Sequence, residues 1–231
     1  VADSLTLEGD PPITVHLRRS VRARRLSLRV SRLDGRVTMT VPKRLPLHEA
    51  RAFAVDKQSW LTRHLAEQVP PAAVVPGAVL PFQGQGHEIV PAPLRSPRIE
   101  DGRLLVPERD SDRTPARVAA FLKAQARERL VTASDHYSGL LGRPYARMTL
   151  RDTRSRWGSC SSQGALMYSW RLIMAPPEVL NYVAAHEVAH LAEMNHSPAF
   201  WAIVERLFPD HAQQKLWLRK HGHQLQRWQF A

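Results

Sequence analysis

The sequence predicts an α+β protein: an antiparallel, β-rich amino-terminal part, then a smaller part made of one short antiparallel sheet and several helices. Three observations predict this. Apolar residues alternate with arginines and other polar residues through residues 13–41, a strand pattern. The dipeptides Asp34-Gly35 and Asp101-Gly102 punctuate the alternating runs as turns. From Thr114 onward the period becomes helical, and the later helices carry His186, Glu187, His190 and His196.

The elements follow in order. Ile13 to Arg19 and Arg24 to Arg32 read as strands, with Leu26, Leu28 and Val30 on one face and Arg25, Ser27 and Arg29 on the other. Arg36 to Val41 returns as a third strand. Leu47 to Gln68 reads as one helix directing Phe53, Val55, Trp60, Leu61 and Leu65 to the core. Val69 to Gly77 is rich in proline and reads as a linker. Short strands near Val79–Phe82, His87–Pro91 and Arg98–Val106 are expected to extend the first sheet, which places a domain boundary at 110: residues 1–110 form a basic β-rich domain with one helix, residues 111–231 the second domain. There, Thr114 to Leu141 is a long helix with Val118, Phe121, Leu122, Leu130 and Tyr137 inward, capped by Gly142. Strands Met148–Asp152 and Ala165–Met174 come next, then the histidine-bearing helix and helices at Pro198–Phe208 and Gln213–Lys220. No internal repeat stands out.

The run His186-Glu187-Val188-Ala189-His190 puts two imidazoles on one helical face. Pro176-Pro177-Glu178 suits a helix start. Asn195 is expected to end the helix in a left-handed conformation, and Ser197-Pro198 to open the next one. His196 then lies in the turn and can fold back toward the other two. Three neutral imidazoles with one open position describe a catalytic zinc site, and Glu187 beside it can take a proton from water activated there. Glu205, on the following helix, is the alternative third ligand; His196 is preferred because it needs no long loop. Arg156 is the first choice for stabilising the developing oxyanion, with Tyr182 and His211 behind it.

The segments Arg151–Cys160, Tyr168–Leu172, His186–His196, Phe200-Trp201 and Trp217–Arg219 resemble those of the YgjP-like predicted zinc metallopeptidases, distantly similar to SprT/Spartan and WLM zincins. The resemblance spans Tyr145 to Leu225 closely, and Arg22–Val30 and Lys57–Trp60 more loosely. It implies a zincin-like layout, one Zn2+ on His186, His190 and His196, and Glu187 as base. The spacing also matches the metzincin motif, except that Glu193 stands where that motif has glycine.

The expected function is therefore a zinc-dependent metallopeptidase acting on a peptide or protein. The alternatives are a metal-dependent nucleoside triphosphate pyrophosphatase, in which Arg151, Arg154, Arg156 and Arg171 clamp phosphates, and a protease acting on nucleic-acid-bound proteins. The net charge is +12, and between Val15 and Arg44 ten Lys/Arg face one acid, Asp34, so non-specific nucleic acid is an expected partner of the basic amino-terminal region. No apolar run is long enough to span a membrane. A single cysteine, Cys160, and an amino terminus without a signal pattern suit the cytoplasm.

Overall fold

The computed structural model describes residues 4–31, 34–66 and 70–230. Arg32, at the end of an expected strand, and the expected helix end and linker start at 67–69 lie outside the described residues, as do residues 1–3. The protein is α+β and divides into two compact units, Val1–Pro70, in which strands precede helices, and Pro71–Ala231, in which groups of strands and helices follow in turn.

In the first unit, strands β1 (Ser4–Leu7), β2 (Ile13–Ser20), β3 (Ser27–Val30) and β4 (Val37–Pro42) form one sheet in the order β1-β2-β4-β3. The predicted β3–β4 hairpin around Asp34-Gly35 is present, with Val30 opposite Val37. The sheet is mixed rather than antiparallel, because β4 inserts beside β2 in parallel, Val15 opposite Val37. That arrangement buries Val15, Val37, Met39 and Val41 against Ala50, Ala54 and Leu61. The expected single helix is two, α1 (Leu47–Asp56) and α2 (Gln58–Ala66), broken at Lys57. The break resets the helical phase. Trp60, read as core, is 38% exposed and lies against His64 instead.

The second unit begins at β5 (Ala72–Ala73), inside the expected linker. Then come β6 (Val79–Phe82), β7 (Gln85–Ala92), β8 (Arg98–Glu100) and β9 (Arg103–Pro107), in the order β6-β7-β9-β8. This sheet does not extend the first one, and the expected boundary at 110 gives way to the division at Pro70. The reason is burial: Leu80, Phe82, Ile89, Leu104 and Val106 share a core with Val118 and Leu122 of α3 (Thr114–Leu141). The two four-stranded sheets have the same winding, two hairpins with a parallel central pair, a repeat of topology without a visible repeat of sequence.

After α3, capped by Gly142 in the left-handed conformation, strands β10 (Arg147–Arg151), β11 (Gly158–Cys160) and β12 (Ala165–Ser169) form a small sheet in the order β10-β12-β11. It too is mixed: β10 runs parallel to β12, while β11 runs antiparallel to β12 and has one edge unpaired. The strand expected to continue to Met174 turns at Trp170 into a 3-10 segment, Trp170–Met174. Helices α4 (Pro177–Ala189), α5 (Pro198–Leu207) and α6 (His211–Gln226) follow. Strand β13 (Trp228–Gln229) returns to pair with β5. Among the described residues no helix is long and apolar enough to cross a membrane.

Candidate active site

Helix α4 is held from its first turn. Pro176 and Pro177 open it, and the β6–β7 turn backs this start: the Gln83 and Gly84 amides donate to the carbonyls of Ile173 and Met174. Gly84 has φ +79°, and a Cβ there would stand 3.0 Å from Pro176, so glycine alone suits this close approach. The helix is buried nearly all round, through Val179, Val183, Ala184 and Val188. A helix in that setting carries polar groups only where something satisfies them.

His186 and His190 lie one turn apart, as predicted. The regular helix ends at Ala189, with His190 as its C-cap, rather than at Asn195; tight turns such as Ala192 N–H to Ala189 carry the chain on to His196. The turns bring His196 back, and its Nε2 lies 3.1 Å from Nε2 of His186. One nitrogen from each of His186, His190 and His196 falls within 4.8 Å of the others, a grouping that can hold a metal ion. Ser197 caps α5 by accepting from the Phe200 amide, as its sequence suggested.

The donor chemistry fits a metal. The His190 Nδ1–H donates to the Glu193 carbonyl at 2.9 Å, which leaves Nε2 as a free lone pair aimed into the triad. It is the Glu193 backbone, not its carboxylate, that orients the ring. His186 Nδ1 is buried without a partner. Burial first, then the neighbouring His190 and His196, lower the His186 pKa to about 3, so this imidazole is neutral and available as a ligand. Burial also lowers the His190 pKa.

Glu187 is 6% exposed. Desolvation raises its pKa to about 8, with the Arg156 guanidinium pulling the other way. A cation in the triad would add a second pull toward the carboxylate form. Gly158 of β11 presses on Glu187: a Cβ there would stand 2.5 Å from its Oε1. The face of β11 at Gly158 therefore packs directly on the carboxylate. Cys160, on the same strand, is half-buried, and burial lifts its thiol to about 11. It is not part of the histidine cluster.

Other expectations sort themselves by position. Glu205, the alternative ligand, pairs with His211 at 2.6 Å and is not in the cluster. Tyr182 is buried beside His186, ring centroids 5.9 Å apart, and burial lifts its phenol to about 12. His211 stacks between Tyr182 and Trp201. Arg151, Arg154 and Arg156 are exposed. Arg171 is not free to clamp a phosphate. It is buried, pairs with Asp152 through Nε at 2.6 Å, and donates to the carbonyls of Leu225 and Trp228. Trp170 is core, 2% exposed, and Trp157 packs on Gly222 of α6.

Two residues were given no role at the site by the sequence. Phe200 underlies all three imidazoles, with centroids 4.9, 4.4 and 4.8 Å from those of His186, His190 and His196. Lys215 sits 4.1 Å over the Trp201 ring, which itself stacks on His196. The only signal was the Phe200-Trp201 pair four residues past His196.

Three imidazoles that can hold a metal ion thus lie on the same helix and turn as a buried carboxylate, Glu187. Residues 24–221 match the family described as YgjP-like, metallopeptidase domain, and the chain belongs to this family. Among solved structures, the metallopeptidase zymogen of Pyrococcus abyssi, abylysin, shares 23% identity over 39% of this chain and 93% of that chain, with a TM-score of 0.36. No curated protein matches the chain.

Proposed function

We propose that the protein is a zinc-dependent metallopeptidase with its centre at His186, His190 and His196 and with Glu187 as proton carrier. The observation that carries this reading is the convergence of three imidazole nitrogens within 4.8 Å, beside the one buried carboxylate of α4. Neutral nitrogen ligands favour zinc. A zinc ion held by His186, His190 and His196 would supply a Lewis acid and would lower the pKa of water there. Glu187 takes the proton of the attacking water and passes it to the leaving amine. Phe200, fully buried against the three imidazoles, excludes bulk solvent on that side. Arg156, whose charge already reaches Glu187, donates to the developing oxyanion. An extended substrate adds to the open edge of β11 by backbone hydrogen bonds. The lone free cysteine suits a reducing cytoplasm.

The exposed Arg151, Arg154 and Arg156 favour a second reading, a nucleoside triphosphate pyrophosphatase. The commitment of Arg171 to Asp152 removes one of its four supports. One experiment tests both. Zinc-loaded wild type and Glu187→Gln are offered casein, a peptide library and the four nucleoside triphosphates. Peptide products that disappear in Glu187→Gln uphold the first reading; pyrophosphate release alone upholds the second and sinks the first.

A further inference from the structure

The first unit holds none of these site residues, yet it carries the densest charge in the chain, ten Lys/Arg against Asp34 between Val15 and Arg44. Its topology sorts that charge. Strands β2 and β4 are parallel, so Ser20 and Pro42 end side by side, and antiparallel β3 begins there at Ser27. The β2–β3 connection, with Arg22, Arg24 and Arg25, and the residues after β4, Lys43 and Arg44, therefore emerge at one end of the sheet. Arg19 joins the two segments, donating to the carbonyls of Lys43 and Leu45 at 3.0 Å. Asp34 lies at the opposite end, between β3 and β4. The five end cations are exposed, and among the described residues none is in an ion pair.

The solvent face of the same sheet continues the pattern. Thr14, His16, Arg18, Ser27, Arg29, Thr38 and Thr40 alternate with the core residues, and Arg18, Arg29 and Arg36 line a cleft of about 270 Å³ with Ser31, Thr38, Thr40 and the single acid Asp34. No Phe, Tyr or Trp is on the described strands of this sheet.

We propose that this face and its basic end bind the backbone of duplex nucleic acid without reading its sequence, a property independent of the reaction at the histidine cluster. Guanidinium groups dominate the surface, and they match phosphate oxygens in pairs, while the threonine hydroxyls donate to single oxygens. The lack of aromatic side chains removes the stacking platform that single-strand binders use. A duplex offers one phosphate per ~1.7 Å of axis, and β4 spans about 20 Å, the length of about six base pairs. An anionic bilayer would need an apolar anchor. Val21, 78% exposed on the β2–β3 connection, is a single apolar side chain among arginines rather than an apolar patch.

Fluorescence anisotropy of a labelled duplex with the full chain, titrated at several salt concentrations, tests this. Affinity should fall linearly with salt on a log–log plot. Arg22→Ala/Arg24→Ala/Arg25→Ala should weaken binding at low salt more than tenfold and reduce the slope by about 2 to 3, at about 0.9 per lost phosphate contact. The lysine triple variant at the same positions should keep the slope, which separates charge from folding. Arg103→Ala/Arg109→Ala/Arg113→Ala, an equal charge change in the second unit, should leave it unaltered. The proposal is overturned if the wild type shows no salt-dependent duplex binding, if both alanine variants lose affinity equally, or if oligo(dT) or phosphatidylserine vesicles bind more tightly than the duplex.

Discussion

Gly158 lies so close to Glu187 that a Cβ would stand 2.5 Å from its Oε1 and 2.6 Å from its Cγ. The face of β11 and the buried carboxylate are thus set against each other with no room for a methyl group. In Gly158→Ala, Glu187 must move aside, and a displacement of about 1 Å at a catalytic group costs about a hundredfold in turnover. The expected outcome is that loss in kcat with bound metal retained. Gly139→Ala, on α3 with nothing within 4 Å of the added methyl, should instead gain about 0.5–1 kcal/mol in chemical denaturation. Full activity in Gly158→Ala would break the link between the strand and the carboxylate.

Glu187→Gln removes the proton acceptor but none of the three nitrogen donors. Turnover should fall by about 10²–10⁴ while metal content, measured by plasma emission, stays at the wild-type level. His190→Ala should show the reverse order of events, with metal lost first and activity lost with it.

The metal-stripped protein should have a stability optimum near pH 6.5, set by the titration of Glu187 on one side and of the buried histidines on the other. Glu187 has its pKa raised from 4.5 to about 8, so it favours the fold below 4.5, and that stability is lost as pH rises through 8. His186 has its pKa lowered from 6.5 to about 3, so it favours the fold above 6.5, and that stability is lost as pH falls through 3. Between 4.5 and 6.5 the extra proton on Glu187 offsets the one missing from His186, and the lowered pKa of His190 leaves a shallow rise toward 6.5. Melting temperature should therefore fall above pH 6.5, and fall more steeply below pH 4.5. Glu187→Gln should abolish the alkaline arm, and His186→Gln should weaken the acid arm to the share of His190. A melting temperature that climbs from pH 6.5 to 8 in the stripped wild type would contradict this.

Arg171→Ala should be costly far from the metal. It removes a two-point pair with Asp152 and strips the Leu225 and Trp228 carbonyls of their donor. Asp152 is half-exposed and can rehydrate, so the loss should be about 3 kcal/mol rather than more. Urea denaturation reads it directly. Arg171→Lys should recover only part, since an ammonium cannot span the same acceptors.

The histidine cluster was legible because its determinants are local: a four-residue spacing on one helix, then a short turn ended by Ser197-Pro198. Helix α3 was legible from its period and from Gly142. The domain boundary was not. The alternation in Val79–Val106 says that one face is buried, but only α3, with Val118 and Leu122, decides against what. The parallel pairing of β2 with β4 and of β10 with β12 is likewise a non-local choice. So is the fate of Arg171, which read as a surface cation like Arg151 and Arg154 until Leu225 and Trp228 came round to it. The proximity of Gly158 to Glu187 left only the glycine itself as a trace.

A free border just three residues long, Gly158 to Cys160, offers purchase for two or three main-chain hydrogen bonds, about 2–4 kcal/mol in all. That is enough to steady a slack stretch of polypeptide and too little to pry one from a finished sheet. Well-folded neighbours would pass this centre untouched, and loosened chains would not.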